Sequence, residues 1–348
     1  MVIPFTKMQA YGNDYVYINA MNVHVADWQN LAIKVSNRNF GVGSDGMILI
    51  CDSEVCDFRM RVFDPDGTEC EMCGNALRSV SKYVYYYKLT DKTEFTVETI
   101  GGHQHVSLDV KDGEVTCIHA DIGKPVFETQ KIVVDMDKVS EMVNITCDSR
   151  SGEPGSSEPG SGEPGSSEPG SSEPGSGEPG SSEPGSSEPG SSEPGGSKLA
   201  SGKLNRNEFI NVPIRIEDRV FYMSSLSWGN PHTVMFIDDV DTLDIKKYGP
   251  KIENHEIFTN RTNVTFAQVI DENNIKIREW ERGTGETIGC GTGCCTAVVF
   301  GNRLGLIGRH VDVMQIGGML HVDWDENDHV HMVGPSTVVY EGEYYYEA

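Results

Sequence analysis

Short stretches in which apolar and polar residues alternate recur along the chain, and a period of two residues predicts β-strands. Examples are residues 15–18, 93–97, 233–237 and 320–324. Two longer segments, residues 75–87 and 292–303, are predicted helices, and each directly follows a Cys-Gly pair. The pattern therefore predicts a protein made mostly of strands, with one prominent helix after each Cys-Gly pair.

These predicted elements occur in two similar copies. When the chain is aligned with itself so that Cys73 meets Cys290, Gly12-Asn13 meets Gly229-Asn230 at the same offset. Several such matches in order and in register indicate two copies of one structural unit. We therefore expect an α+β fold of two pseudo-symmetric domains, each a curled, mostly antiparallel sheet around a central helix.

One segment cannot belong to a hydrophobic core. Residues 151–195 are nine pentads of the type Ser-Gly/Ser-Glu-Pro-Gly. They offer no apolar side chain for burial, and their prolines cannot donate backbone hydrogen bonds. We therefore predict a low-complexity, disordered insertion at residues 148–203, which interrupts a C-terminal domain of residues 120–336. The N-terminal domain is predicted to comprise residues 1–119.

The overall charge excludes some classes of partner. The formal net charge is −25, and nine of the negative charges are glutamates of the pentads. This balance argues against nucleic acid or an anionic membrane surface as a partner. No apolar run approaches the roughly 18 residues that span a bilayer, and the first residues do not resemble a secretory signal. Nine cysteines, an odd number, fit a reducing compartment, so we expect a cytoplasmic protein.

The two Cys-Gly pairs suggest a specific chemistry, because each places a cysteine at the start of a helix. The free N–H groups and the dipole of a helix start are expected to lower the pKa of a thiol. The same N–H groups can hold a substrate carboxylate, and they belong to Gly74, Asn75, Gly291 and Thr292. If the two copies face each other, one thiolate can remove an α-proton while the opposite thiol donates a proton to the other face. We therefore expect Cys73 and Cys290 to invert an α-carbon without a cofactor.

The cysteines also permit a metal or redox interpretation. Cys70 and Cys73 form a C-x-x-C pair, and Cys290, Cys294 and Cys295 form a second cluster. A zinc ribbon needs a second C-x-x-C, which the second cluster does not contain. A zinc or redox site is therefore the less favoured alternative, and Cys294 and Cys295 are expected to be small buried helix residues.

Longer motifs surround both cysteines. The first copy contains KMQAYGNDYV at residues 7–16, GVGSDG at 41–46 and DGTECEMCGNALR at 66–78. The second copy contains GNPH at 229–232, TNV at 262–264, WERG at 280–283, GET at 285–287 and CGTG at 290–293. In this order the motifs resemble the diaminopimelate epimerase family over nearly the whole chain except the pentads.

The resemblance implies an isomerase that uses neither pyridoxal phosphate nor a metal, that acts on a small amino-acid substrate and that forms a homodimer. It implies that Cys73 and Cys290 are the catalytic pair, and that His232 and Glu281 tune the two thiols. It also implies that substrate is held by the helix starts and by Asn13, Asn230, Asn263, Glu281 and Arg282. The final strand of the family returns to the first domain, which adds residues 337–348 to residues 1–119. Taken alone, the Gly-Asn pairs could be turns, and Glu281 with Arg282 could be a surface ion pair.

One position departs from the family, which usually has asparagine where this chain has Asp64. An ionised carboxylate accepts hydrogen bonds but cannot donate to a distal carboxylate of the substrate. The predicted activity is epimerisation of L,L-2,6-diaminopimelate to the meso isomer, which supplies lysine and cell-wall precursors. The first alternative is a racemase of another basic amino acid, such as histidine, on the same scaffold. The second is a non-catalytic interaction protein with the acidic pentads as a tether.

Overall fold

The computed structural model describes residues 1–148 and 205–347. Helices in this part of the chain are α1 (Trp28–Ser36), α2 (Gly74–Tyr86), α3 (Met136–Asp148), α4 (Ile245–Glu253) and α5 (Gly291–Arg303). The strands of the first half are β1 (Val2–Ala10), β2 (Asn13–Asn19), β3 (Met47–Cys51), β4 (Phe58–Phe63), β5 (Glu69–Cys70), β6 (Glu94–Thr99), β7 (Gly102–Lys111) and β8 (Glu114–Asp121). Those of the second half are β9 (Phe209–Ile216), β10 (Arg219–Ser227), β11 (Pro231–Phe236), β12 (Asn263–Asp271), β13 (Asn274–Glu281), β14 (Gly285–Thr287), β15 (His310–Gln315), β16 (Gly318–Trp324), β17 (Val330–Gly334) and β18 (Thr337–Tyr345).

The same order of strands and helices occurs twice. In the first copy β2 runs parallel to β3 and β4 runs parallel to β6. The second copy repeats this arrangement, with β11 parallel to β12 and β13 parallel to β15. The other strand pairs are antiparallel, for example β1 with β2 and β10 with β11. The duplicated, mostly antiparallel α+β fold predicted from the sequence is confirmed.

Strand pairing joins the two copies into one open sheet. The pairing runs from β9 through β10, β11, β12, β13, β15, β16 and β17 to β8, and then through β7, β6, β4, β3, β2 and β1 to β18. The link between the copies is the antiparallel pair β17–β8. The last strand, β18, pairs with β1 of the first copy. The predicted domain boundary between residues 119 and 120 falls inside β8.

The helices α2 and α5 lie at the centre of the two copies. Leu77 and Val80 of α2 belong to the same buried apolar cluster as Val298 and Phe300 of α5. Residues 291–301 of α5 are all buried. Because apolar burial contributes roughly 25 cal/mol per Å², this shared cluster holds both helices, and therefore both helix starts, in fixed positions.

The starts of these two helices differ from those of the surface helices. Asp27 caps α1 by accepting a 2.9 Å hydrogen bond from the N–H of Asn30, and Asp244 caps α4 in the same way. By contrast, α2 and α5 follow Cys73 and Cys290, whose side chains cap neither helix. Each helix begins one residue earlier than predicted. Their first N–H groups are therefore available to an acceptor from outside the helix.

The predicted insertion at residues 148–203 lies outside the described residues, apart from Asp148, which ends α3. In the two described stretches, no helix has the length and apolar character needed to cross a membrane.

Candidate active site

The starts of α2 and α5 lie next to each other, with Met332 of β17 between them. A Cβ atom on Gly74 would come 2.7 Å from the sulfur of Met332, and one on Gly291 would come 2.6 Å from it. A Cβ on Gly291 would also lie 3.5 Å from Oδ1 of Asn75. Glycine directly after each cysteine therefore permits the close approach of the two helix starts.

The side-chain amide of Asn75 connects the two copies. Its Nδ2 donates to Oδ1 of Asn13 and to the carbonyl oxygen of Gly289, both at 3.2 Å. Oδ1 of Asn13 also accepts a 3.7 Å contact from the Cys73 thiol. Gly289 immediately precedes Cys290 in the chain. One buried amide thus links the surroundings of both cysteines.

Asn13 is itself held in place by the carboxylate of Asp45. Nδ2 of Asn13 donates to Oδ2 of Asp45 at 2.9 Å, and Arg38 donates to the other oxygen at 2.6 Å. Both polar atoms of the Asn13 side-chain amide, Nδ2 and Oδ1, therefore have protein partners, which define the orientation of the amide.

The Cys73 thiol is partly buried and has several polar neighbours. Burial raises its pKa, whereas the N–H of Ala76 and the hydroxyl of Tyr15 act in the opposite direction. The Tyr15 hydroxyl lies 3.6 Å from Sγ. The negative charge of Glu281 raises the pKa of Cys73 further.

Cys290 is more deeply buried than Cys73, with 6% of its surface exposed. Burial raises the pKa of its thiol, and the charge of Glu281 raises it further. Its sulfur lies 3.5 Å from the hydroxyl of Thr292, and its backbone N–H donates to Oε1 of Gln315 at 3.0 Å. Burial and the charge of Glu281 therefore hold Cys290 as a thiol near neutral pH.

The N–H groups at the helix starts do act to lower the pKa of both thiols, but the predicted net lowering is wrong. The pKa of each thiol is raised, because loss of water around the sulfur outweighs the nearby N–H groups. Both cysteines are therefore mostly in the thiol form near neutral pH.

Glu281 lies close to both cysteines. Burial raises the pKa of its carboxyl group, while hydrogen bonds with Thr287 and Cys290 lower it. The hydroxyl of Thr287 donates to Oε1 of Glu281 at 2.5 Å. The charge of Glu281 raises the pKa of both thiols.

His232 is fully buried at the start of β11. Burial, followed by the charge of Arg282, lowers its pKa to about 3, so the ring is neutral near pH 7. Neither ring nitrogen has a hydrogen-bond partner among the described residues. His232 therefore forms no hydrogen bond with either thiol, and its predicted role in tuning a thiol stays a prediction.

The other predicted substrate residues occupy both sides of the site. Nδ2 of Asn263 donates to the carbonyl oxygen of Pro231 at 3.0 Å, and its Oδ1 accepts from the N–H of Arg282 at 2.9 Å. Asn230 is half-buried in the turn that precedes β11. Burial raises the pKa of Asp64, and the positive charge of Arg282 opposes this shift. Asp64 of the first copy and Arg282 of the second therefore lie close enough for their charges to interact.

Several residues near the cysteines were missed in the sequence. Glu279 is 1% exposed, and its Oε1 accepts a 2.8 Å hydrogen bond from Thr265. Gln315 is also buried and contacts the Cys294 thiol at 3.4 Å. In each strand the preceding inward-facing positions, every second residue, are apolar, and Glu279 or Gln315 occupies the next one. This alternation could have identified both residues as buried. Arg78, fully buried in α2, gave no such signal.

The metal and redox alternative gains no support from these cysteines. The eight cysteines whose side chains the structure describes are all free. Within residues 1–148 and 205–347, the group of side chains close enough to share a metal ion is Asp109, Cys117 and His119. It includes none of the cysteines of the two clusters.

The sequence and the fold are similar to those of known proteins. The diaminopimelate epimerase family profile matches residues 5–128 and 224–339. The diaminopimelate epimerase of Desulfovibrio desulfuricans is 36% identical over 346 residues, which cover 99% of each chain. That of Acetivibrio thermocellus is 36% identical over 340 residues, which cover 97% of each chain.

Among solved structures, a PhzF-family phenazine biosynthesis protein from Bacillus anthracis superposes with a TM-score of 0.58 over 99% of both chains. At 16% identity this likeness concerns the fold alone. The match at this level covers both copies of the duplicated unit.

Proposed function

The chain belongs to the diaminopimelate epimerase family, and on this premise we propose that it is the isomerase that converts L,L-2,6-diaminopimelate to the meso isomer. The observation that carries the proposal is the pair of adjacent, uncapped helix starts, each preceded by a cysteine. The Asn75 amide, which contacts Asn13 beside Cys73 and the carbonyl before Cys290, supports a single site shared by the two copies.

The proposed reaction uses the two helix starts to hold the substrate α-carboxylate. The N–H groups of Gly74, Asn75, Gly291 and Thr292 point at this group, and they stabilise the extra negative charge when the α-proton leaves. One cysteine thiolate takes the proton from the α-carbon, and the C–H electron pair moves into the carboxylate. The other thiol then donates its proton to the opposite face of the same carbon. After one turnover the protonation states of the two cysteines have exchanged.

The first thiolate forms when substrate binds. Burial keeps both thiols mostly protonated near neutral pH. The carboxylate of Glu281 is the nearby base that can take the proton of one thiol, because its own pKa is raised by burial. Neutral His232 contributes no charge to this step.

The distal amino and carboxylate groups of the substrate are assigned to Asp64 and Arg282, with Asn13, Asn230 and Asn263 as further substrate-binding side chains. Arg282 can bind the distal carboxylate through two parallel N–H bonds. Asp64 can accept a hydrogen bond from the distal ammonium. This pair of opposite charges matches the two distal groups of diaminopimelate.

A second candidate is racemisation of another basic amino acid, which Asp64 favours because a carboxylate suits any distal cation. Proton NMR in heavy water, with the reduced protein and a panel of L-amino acids beside L,L-diaminopimelate, separates the two candidates. We expect α-deuteration and meso product with diaminopimelate alone. Exchange restricted to histidine or another basic amino acid would transfer the proposal to that substrate, and no exchange with any substrate would reject it.

We place the enzyme in the cytoplasm as a homodimer. The free cysteines of the described residues suit a reducing compartment. On β18, Val339 and Tyr345 are 53% and 75% exposed, and exposed apolar side chains of this kind suit a contact with a second copy. Sedimentation of the purified protein tests the dimer, and a concentration-independent monomer would contradict it.

A further inference from the structure

The fully buried side chain of Arg78 lies behind the two helix starts and has no anionic partner. None of its surface is exposed. A guanidinium group stays protonated in proteins even where burial lowers its pKa. Within the described residues its hydrogen-bond partners are Asn75, Gly74 and Met332, none of them a carboxylate, and its Nε has no partner. An unpaired buried charge is strongly unfavourable. The free-energy cost of burying this charge indicates that the charge serves a function.

The contacts of Arg78 converge on the site. Nη2 donates to Oδ1 of Asn75 at 2.6 Å, and Nη1 lies 3.4 Å from the carbonyl oxygen of Gly74. Nη1 also lies 3.6 Å from the position of a Cβ on Gly291, at the start of the other helix. The guanidinium therefore reaches both helix starts, and the ring of Tyr11, 5.5 Å away, covers it.

Asn75 transmits this interaction to both cysteines. Because its Oδ1 accepts from Arg78, its Nδ2 is directed at Asn13 and at the carbonyl oxygen of Gly289. Rotation of the amide by half a turn would place two donors, Nδ2 and Nη2, against each other. Arg78 therefore determines which way the amide faces.

We propose that Arg78 is a positioning residue for the epimerase reaction: through Asn75 it orients the surroundings of both cysteines, and its unpaired charge offsets the negative charge that forms there. The inference rests on the proposed function for its kinetic consequences. The anions it offsets are the Cys73 thiolate and the α-carboxylate as it takes up charge. This explains why no carboxylate of the protein neutralises it.

The test compares Arg78→Met, Arg78→Lys and the control Lys82→Met, which removes another cation from the same helix. Lys82 donates to the carbonyl oxygen of Ser336 and lies outside the network. The first readout is the pH dependence of Cys73 alkylation by iodoacetamide, resolved by peptide mass spectrometry. It needs no substrate, so it remains readable if the protein does not act on diaminopimelate.

In Arg78→Met we expect the pKa of Cys73 to rise by about one unit, or about tenfold less thiolate at a fixed pH. We also expect kcat for inversion to fall by about 100-fold or more. Arg78→Lys keeps the charge but loses the planar fork, so the Cys73 pKa stays near the wild-type value while kcat falls about tenfold. An unchanged Cys73 pKa in folded Arg78→Met, or an equal shift in Lys82→Met, would overturn the proposal. If Arg78→Met does not fold, full kcat in Arg78→Lys would overturn it.

Discussion

Replacing Gly293 by alanine tests how tightly the first turn of α5 packs against Glu279. A Cβ atom at this position would overlap Oε1 and Cδ of the Glu279 carboxyl group, and would lie 3.0 Å from Oε2. Glu279 is 1% exposed and is bound to the hydroxyl of Thr265, so its carboxyl group has no nearby solvent to enter. The substitution therefore requires either that this hydrogen bond break or that the helix start move.

The magnitude follows from three contributions. Loss of a partner for a buried polar group costs about 1–3 kcal/mol. Forcing extra volume into a packed interior costs about 1–3 kcal/mol more. Alanine in place of glycine returns up to about 1 kcal/mol of helix propensity. We expect Gly293→Ala to destabilise the protein by about 1–5 kcal/mol and, because Cys290 directly precedes this turn, to lower the rate of inversion.

Thermal unfolding followed by circular dichroism measures the effect, with Gly308→Ala as the matched control. A Cβ on Gly308 would meet its nearest atom, Oδ1 of Asn273, at 3.5 Å, which is an ordinary contact. In a Glu279→Ala background, where the obstructing carboxyl group is absent, Gly293→Ala should cost less than about 1 kcal/mol. An equal cost in both backgrounds would refute the reasoning, because Glu279 would then not be the obstacle.

Three further predictions concern the thiols, the buried acid and the distal group. Cys73→Ser and Cys290→Ser should each lower kcat by at least about 10²–10⁴-fold, because serine is a poor acid and base here. Full activity of either variant in a coupled assay would exclude the two-thiol reaction. Burial raises the pKa of Glu279 well above its usual value. The folded protein therefore keeps a proton that the unfolded chain releases above about pH 4.3, so the free energy of unfolding falls as pH rises. Denaturant unfolding of Glu279→Gln between pH 6 and 9 should show a shallower decline than wild type, and parallel curves would mean that Glu279 does not carry the proton. Asp64→Asn should change KM for diaminopimelate by up to about tenfold and leave kcat nearly unchanged, because the residue is assigned to the non-reacting end of the substrate. A large loss of kcat in steady-state kinetics would place Asp64 at the reacting carbon instead.

Features that depend on neighbouring residues in the chain could be predicted from the sequence. The Cys-Gly pairs predicted both central helices to within one residue, because a glycine and a free helix start have local signatures. The aligned Gly-Asn turns predicted the duplication, since each copy must build the same sheet around its helix.

Other features depend on contacts that no local pattern contains. The sign of the thiol pKa shift was predicted wrongly because it depends on burial by distant strands. Glu279 and Gln315 interrupt otherwise apolar inward faces, so their burial could have been inferred from strand parity. The position of Arg78 between two helices, and its bond to Asn75, depend on how the two copies pack and could not be inferred.

In the proposed reaction two cysteines act on opposite faces of one α-carbon. The most direct test is mass spectrometry and proton NMR of a reaction of L,L-diaminopimelate in heavy water, stopped at low conversion. If the removed proton stays on one thiol while the other thiol delivers a solvent-derived deuteron, the meso product carries deuterium at the inverted carbon and the recovered L,L substrate carries almost none. Equal deuterium in recovered substrate and product, or product that retains the original proton, would contradict the two-cysteine reaction.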